Sequence, residues 1–158
     1  MPTKLSLLSA AAGLLLAVRA AEQHPLLPTW KCTTSGGCVQ QNTSVVLDKD
    51  AKYAKGAAGS RTAADYAAMG VSTSGSALTL THYVRGTAAS PRVYLLNEST
   101  GKYVMMNLLN NQELSVDADF STLPCGENGA FYFSEMAADG RGGGGANAGN
   151  GYCDAQCQ

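Results

Sequence analysis

Apolar and polar residues alternate along much of this chain. At 77–84, Leu78 and Leu80 interleave with Thr79 and Thr81 ahead of Tyr83 and Val84, the pattern of a half-buried strand. At 113–120 Leu114, Val116, Ala118 and Phe120 face one way, while Asp117 and Asp119 face the other. Further strands are predicted at 44–48, where Val45 and Val46 form a β-branched pair, and at 92–96, 103–109 and 130–134. Residues 70–76, 97–101 and the pair Asn128-Gly129 read as turns. Short strands spaced about 8–12 residues apart with turn signals between them predict an all-β antiparallel sandwich. From Asp65 onward the pattern reads as β throughout.

Two stretches break the alternation. Residues 49–64 are rich in Ala, Gly and Lys and have no apolar period of either kind, so a poorly ordered linker or divergent junction is expected there. Residues 137–151 are glycine-rich. Arg141 followed by four glycines lacks the Lys-Ser/Thr of a phosphate loop and opens no helix, which excludes nucleotide binding.

The first 20 residues read as a secretory signal. Lys4 supplies the charge, residues 5–18 an apolar run too short to span a membrane comfortably, and Val18-Arg19-Ala20 the small residues of a cleavage site. Secretion leaves 21–158 as the mature chain, and losing Lys4 and Arg19 takes the net charge from −1 to −3. That balance argues against nucleic acid or an anionic membrane as partner. Charged residues at 15% and 18 glycines fit a loop-rich secreted β protein.

Secretion makes disulfides the default for Cys32, Cys38, Cys125, Cys153 and Cys157, and an odd number leaves at least one unpaired within the chain. Cys32 and Cys38 flank Thr-Thr-Ser-Gly-Gly, a turn that can bring them together; closing it would stabilise by about 2 kcal/mol. Cys153 and Cys157 have no histidine near them, His24 and His82 being the two in the chain, so a zinc site is not expected and they read as disulfide halves whose partners lie elsewhere. Neither a metal nor a cofactor is expected. Asn42-Thr43-Ser44 and Asn97-Glu98-Ser99 are glycosylation sequons, with Asn42 and Asn97 as acceptors.

Several stretches, taken in order, resemble the N-terminal part of glycoside hydrolase family 7, the fungal cellobiohydrolases and endo-β-1,4-glucanases. They are His24-Pro25 through Trp30-Lys31-Cys32-Thr33-Thr34-Ser35-Gly36-Gly37-Cys38; Asn42-Thr43-Ser44-Val45-Val46-Leu47-Asp48; and Asp65-Tyr66 through Gly70-Val71-Ser72-Thr73-Ser74-Gly75. They continue with Ser90-Pro91-Arg92-Val93-Tyr94-Leu95-Leu96, Gln112-Glu113-Leu114-Ser115, Leu123-Pro124-Cys125-Gly126-Glu127-Asn128-Gly129-Ala130, and Gly151-Tyr152-Cys153-Asp154-Ala155-Gln156-Cys157. The wording around Cys32 and Cys125 is nearer the endoglucanase branch.

The resemblance implies part of a concanavalin-like jelly-roll β-sandwich whose concave face holds cellulose or another β-glucan. It implies that Arg92, Asn128 and Tyr132 line the minus-side glucosyl subsites, and that Tyr152, Asp154 and Gln156 sit near the cleavage point. It also implies retaining hydrolysis by two carboxyls about 5–5.5 Å apart. In the family these come from a strand carrying Glu-x-Asp-x-x-Glu, which follows the segment matching 152–157. The 158 residues contain no such pattern; the nearest, Glu113-x-x-x-Asp117-x-Asp119, reads as the polar face of a strand. No catalytic residue is therefore expected here, and the chain as given is expected to be inactive.

Cys125, Cys153 and Cys157 are expected to lack partners in this chain. The family's Trp- and Tyr-rich sequence after the segment matching Asp48 is replaced by 49–64. Trp30, the one tryptophan, reads as structural rather than as a sugar platform. The alternatives from other classes are a small secreted carbohydrate-binding protein and a non-functional truncated paralogue, for which exposed strand edges and core surface predict aggregation.

Overall fold

The computed structural model describes residues 20–51, 54–108 and 111–153. Residues 1–19 of the expected signal, Leu109 of an expected strand, and Asp154, Gln156 and Cys157 lie outside the described residues. No helix among the described residues is long and apolar enough to cross a membrane.

The core is built around one strand. β3 (Thr43–Leu47) pairs antiparallel with β8 (Val93–Asn97), and β8 with β9 (Lys102–Tyr103), giving a three-stranded sheet in the order β3-β8-β9. All five residues of β3 are buried because both of its faces are covered. Val45 and Leu47 point to a cluster with Tyr66, Met69, Val71 and Ala89. Val46 points the other way, to Leu96, Tyr103 and Ala146. A Val-Val-Leu run thus feeds two apolar clusters through the period-two alternation of a strand.

Three two-stranded hairpins surround this sheet. β1 (Thr29–Cys32) pairs with β2 (Cys38–Gln41), β4 (Val71–Ser74) with β5 (Ala77–Leu80), and β6 (Tyr83–Val84) with β7 (Thr87–Ala88). Cys32 and Cys38 are directly opposite in register and disulfide-bonded, which staples the first hairpin. The described chain is all-β apart from one short helix and one 3₁₀ turn.

Several expectations need correcting. Residues 70–76 are not all turn: β4 occupies Val71–Ser74, and Gly75 at φ 56 opens a two-residue hairpin loop that needs a positive φ in its first central position. The strand expected at 77–84 splits into β5 and β6: the β4–β5 ladder ends with the Thr81 N–H on the Gly70 carbonyl at 2.8 Å, and the chain bends at His82. The turn expected at Asn128-Gly129 lies instead at Pro124–Glu127, where the Glu127 N–H donates to the Pro124 carbonyl at 3.2 Å and Gly126 supplies φ 89.

Residues 63–68, expected as the end of the loose stretch and the start of the β pattern, are helical: α1 (Ala63–Ala68) starts at a capping box in which the Thr62 hydroxyl accepts from the Asp65 N–H and the Asp65 carboxylate accepts from the Thr62 N–H. Four alanines favour the helix, and Tyr66 and Met69, three apart, bury one face of it.

The described part of 49–64 is tied down rather than loose. Arg61 is 1% exposed and donates to the carbonyls of Leu47 at 2.8 Å, Lys49 at 3.0 Å and Gly56 at 3.3 Å. Its guanidinium lies 3.8 Å from the buried Glu22 carboxylate, which also accepts from the Tyr66 hydroxyl at 2.6 Å. Low complexity hid a single residue whose fixed fork of donors organises the segment.

The strands expected at 113–120 and 130–134 do not form, and the one expected at 103–109 is reduced to Tyr103, the end of β9. Their alternation is intact, but a strand needs a neighbour to take its N–H and C=O groups. Among the described residues none lies alongside. Val116, Phe120, Phe131 and Phe133 are consequently about half exposed.

Candidate functional site

The sheet itself assembles the site. β3 and β8 are paired with Val46 opposite Tyr94 and Ser44 opposite Leu96. Directly opposed residues share a face, so Arg92, Tyr94 and Leu96 project on the same side as Val46 and Asp48. Tyr103 of β9, opposite Leu96, joins them. At the Asp48 end of this face the apolar cluster gives way to an aromatic and charged one.

Arg92 is its centre. The guanidinium sits 3.8 Å above the ring centroid of Tyr152, an arrangement in which the ring face attracts the cation. Its Nη2 lies 3.3 Å from Asp48 Oδ2, and the side chain also hydrogen-bonds Tyr132. Burial pulls the Arg92 pKa down, but Tyr94, Asp48 and Tyr132 outweigh it and the net direction is up. The Arg92 Nε–H is buried without an acceptor among the described residues.

Four tyrosines pack around this pair. Tyr152 stacks on Tyr94 with centroids 5.9 Å apart, Tyr94 meets Tyr103 edge-on at 5.5 Å, and Tyr132 meets Tyr152 edge-on at 6.4 Å. The Tyr132 and Tyr152 hydroxyls are 3.1 Å apart. Burial, then the hydrogen bond to the Asp48 carboxylate, push the Tyr94 hydroxyl far above its ordinary pKa. Burial, then the Asp48 charge, do the same at Tyr103, whose hydroxyl donates to the Asn150 carbonyl. That last contact anchors the glycine-rich segment that delivers Tyr152. Gly149 is pressed against the Leu47 backbone, where a Cβ would stand 2.0 Å from the carbonyl oxygen. Further along the same segment, Gly151 and Cys153 line an open cavity of about 420 Å³ together with Glu135, Met136, Ala137 and Arg141.

Of the residues named from the sequence, Arg92, Tyr132 and Tyr152 come together. Phe131 and Phe133 meet edge-on at 6.1 Å, both exposed, while Tyr132 between them reaches Tyr152. Asn128 is exposed and makes no side-chain hydrogen bond to these three among the described residues. Trp30, expected to be structural, is 50% exposed on β1. Cys125 carries a free, exposed thiol. Cys153 is disulfide-bonded, which corrects the expectation that it lacks a partner. Asp48, Tyr94 and Tyr103 were missed as site residues. Strand parity could have found them, since 92 and 94 share a face and Asp48 directly follows the β3 run.

The model of glycosyl hydrolase family 7 matches residues 61–158. Endoglucanase EG-1 of Hypocrea jecorina is 47% identical over 169 residues, covering 86% of this chain and 36% of that protein. A probable endo-beta-1,4-glucanase, celB, of Aspergillus terreus is 43% identical over 190 residues, covering 99% of this chain and 45% of that one. Among solved structures, an endoglucanase I complexed with cellobiose superposes with a TM-score of 0.70 at 32% identity, over 88% of this chain and 43% of that one. The native Humicola insolens endocellulase EGI gives 0.68 at 32% identity, over 87% and 43%. The chain therefore belongs to glycosyl hydrolase family 7, and its fold is part of that family's β-sandwich. It spans 36–45% of the length of these curated relatives.

Proposed function

We propose that this chain is the N-terminal, glucan-binding part of a secreted family 7 endo-β-1,4-glucanase. The observation that carries the reading is the stack of Arg92 on Tyr152, flanked by Tyr132 and Tyr94. A glucosyl ring offers an apolar C–H face ringed by hydroxyls, and an aromatic platform edged with phenol and guanidinium groups matches both. Endo action is supported by the relatives being endoglucanases. Secretion is supported by the N-terminal pattern and the disulfides.

Hydrolysis is not expected of these 158 residues. Retention requires two carboxyls about 5–5.5 Å apart across the scissile bond. Asp48, the buried carboxylate at the platform, is already committed to Arg92 and Tyr94. The Glu-x-Asp-x-x-Glu pattern is not among the 158 residues, so chemistry belongs to a polypeptide that carries it. The sites implied for Asp154 and Gln156, and glycosylation at Asn42 and Asn97, remain part of the proposal.

The test is to incubate the purified chain with cellotetraose, following both reducing ends and the tyrosine resonances. The expected result is no new reducing ends, with Tyr152 and Tyr132 perturbed by the sugar and Arg92→Ala abolishing the perturbation. Turnover would overturn the inactivity, and an unperturbed spectrum would overturn the glucan reading.

A further inference from the structure

We propose that Asp48 is the positioning residue of the platform, fixing Arg92 and Tyr94 so that Tyr152 presents its face to a glucan; this rests on the glucan-binding reading above. Asp48 is 5% exposed and every polar group it offers is used. One carboxylate oxygen, Oδ2, takes both the Tyr94 hydroxyl and the Arg92 guanidinium. The other, Oδ1, accepts from the Asp50 N–H at 2.7 Å, which locks the carboxylate plane. The Asp48 N–H donates to the Arg92 carbonyl at 2.9 Å, so backbone and side chain clamp the same residue.

What Asp48 holds cannot hold itself. Arg92 has one guanidinium N–H already buried without an acceptor, and its remaining grip is on a ring face and one phenol. Without the carboxylate, a long side chain with high rotamer entropy would leave a half-buried site for water. Tyr94 would lose the acceptor that sets its ring angle, and Tyr152 rests on that ring with an interplanar angle of 24°. The neighbouring Asp50 carboxylate is exposed and pairs with Lys49. Asp48 touches no glucan in this account; it acts through Arg92 and Tyr94.

The experiment uses the full chain and compares wild type, Asp48→Asn, Tyr94→Phe and Asp50→Asn. Two quantities are read: cellotetraose affinity, and the alkaline titration of the tyrosines by tyrosinate absorbance. Asp48→Asn keeps the shape but removes the charge, and is expected to weaken binding by about tenfold or more. It should also lower the Tyr94 hydroxyl's raised pKa by removing the carboxylate that accepts from it, while burial still holds it above the ordinary value, an electrostatic signature that a merely structural role would not give. Asp50→Asn should change neither quantity.

Equal affinity of wild type and Asp48→Asn would overturn the proposal. So would an unchanged tyrosine titration, which stands even if the wild type binds no sugar and the glucan reading itself fails. If Asp48→Asn does not fold, Tyr94→Phe decides: it removes only the hydroxyl that donates to Asp48, and wild-type affinity in that variant would overturn the proposal.

Discussion

The β3-β8-β9 sheet and the segment 111–137 both carry strand-like apolar sequence, continuous in Val45-Val46-Leu47 and alternating at Leu114, Val116, Ala118 and Phe120, yet only the first forms a ladder. In the sheet Val45, Val46, Leu47 and Leu96 are at most 2% exposed. In the segment Val116, Phe120, Phe131 and Phe133 are 49–57% exposed. The difference is not propensity, because β-branched and aromatic residues occur in both. It is whether a neighbouring strand is there to take the backbone groups and cover the apolar face. Alternation specifies which side of a strand is apolar; pairing decides whether the strand exists.

The largest test of this contrast falls on Arg61, which fastens the chain behind β3. Arg61→Ala removes three donors to backbone carbonyls, that of Leu47 buried, and leaves Glu22 without its cation. A loss of about 3–5 kcal/mol is expected, as for other buried pairs broken from one side. Urea denaturation measures it. A loss under about 1 kcal/mol, the range of exposed pairs, would mean that 49–64 is not held by this residue.

Next comes a matched pair of truncations. Leu47→Ala should cost about 2–5 kcal/mol, because both the transfer and cavity terms apply at a fully buried site. Val116→Ala should stay within about 0.5 kcal/mol, because the side chain is 55% exposed. Equal losses in the same urea series would break the comparison, showing that 111–137 is packed as tightly as the sheet. Aggregation should respond in the opposite order, falling with Phe131→Ser but not with Leu47→Ala, as read by light scattering.

How much of this was legible in the sequence follows from the same contrast. Strands at 44–48 and 92–96 were readable because apolar pattern and pairing agree there. So was the bridge from Cys32 to Cys38, since a Gly-Gly turn lies between them. Arg92, Tyr132 and Tyr152 came from family resemblance, and the fold brings them together. Asp48 was quoted in that resemblance but not recognised as a site residue, because its role depends on register: it projects beside Arg92 only once Leu47 is set opposite Val93. The helix was missed although Thr62-Ala-Ala-Asp65 spells a capping box, because the boundary between the low-complexity stretch 49–64 and the β reading from Asp65 falls inside it. Arg61 looked like one cation in a featureless stretch, and no local pattern announces a residue whose partners are carbonyls 5, 12 and 14 positions away.

A smaller effect separates the two regions by alkaline titration. Tyr66, Tyr94 and Tyr103 belong to the packed part, and burial before all else holds their hydroxyls far above the ordinary 10.0. In the unfolded chain they ionise near 10.0. Between that value and the raised folded one, the folded state binds more protons. Stability is therefore fully present below pH 10 and falls as the pH climbs beyond it. Urea midpoints measured on either side of pH 10 should show that fall, and a flat profile would remove the claim that these phenols are shielded.

The smallest expected effect concerns α1, which joins the sheet's first cluster through Tyr66 and Met69. The hydrogen bonds from Thr62, backbone first and then hydroxyl, hold the Asp65 carboxyl below its ordinary 3.8. A depressed folded pKa means that the folded state binds fewer protons near pH 3.8 than the unfolded one does. This contribution is present above 3.8 and disappears as the pH falls through the lower folded value. Thr62→Ala removes the reciprocal half of the box and should cost about 1 kcal/mol at neutral pH. In that variant the acid-side decline should also soften, because the depressed carboxyl loses the hydroxyl that favours its charge. Helix signal followed by circular dichroism from pH 6 to about 2, wild type against variant, reads both effects. Superimposable acid limbs would mean that the cap is decorative and that Tyr66 and Met69, buried against β3, hold the helix by packing alone.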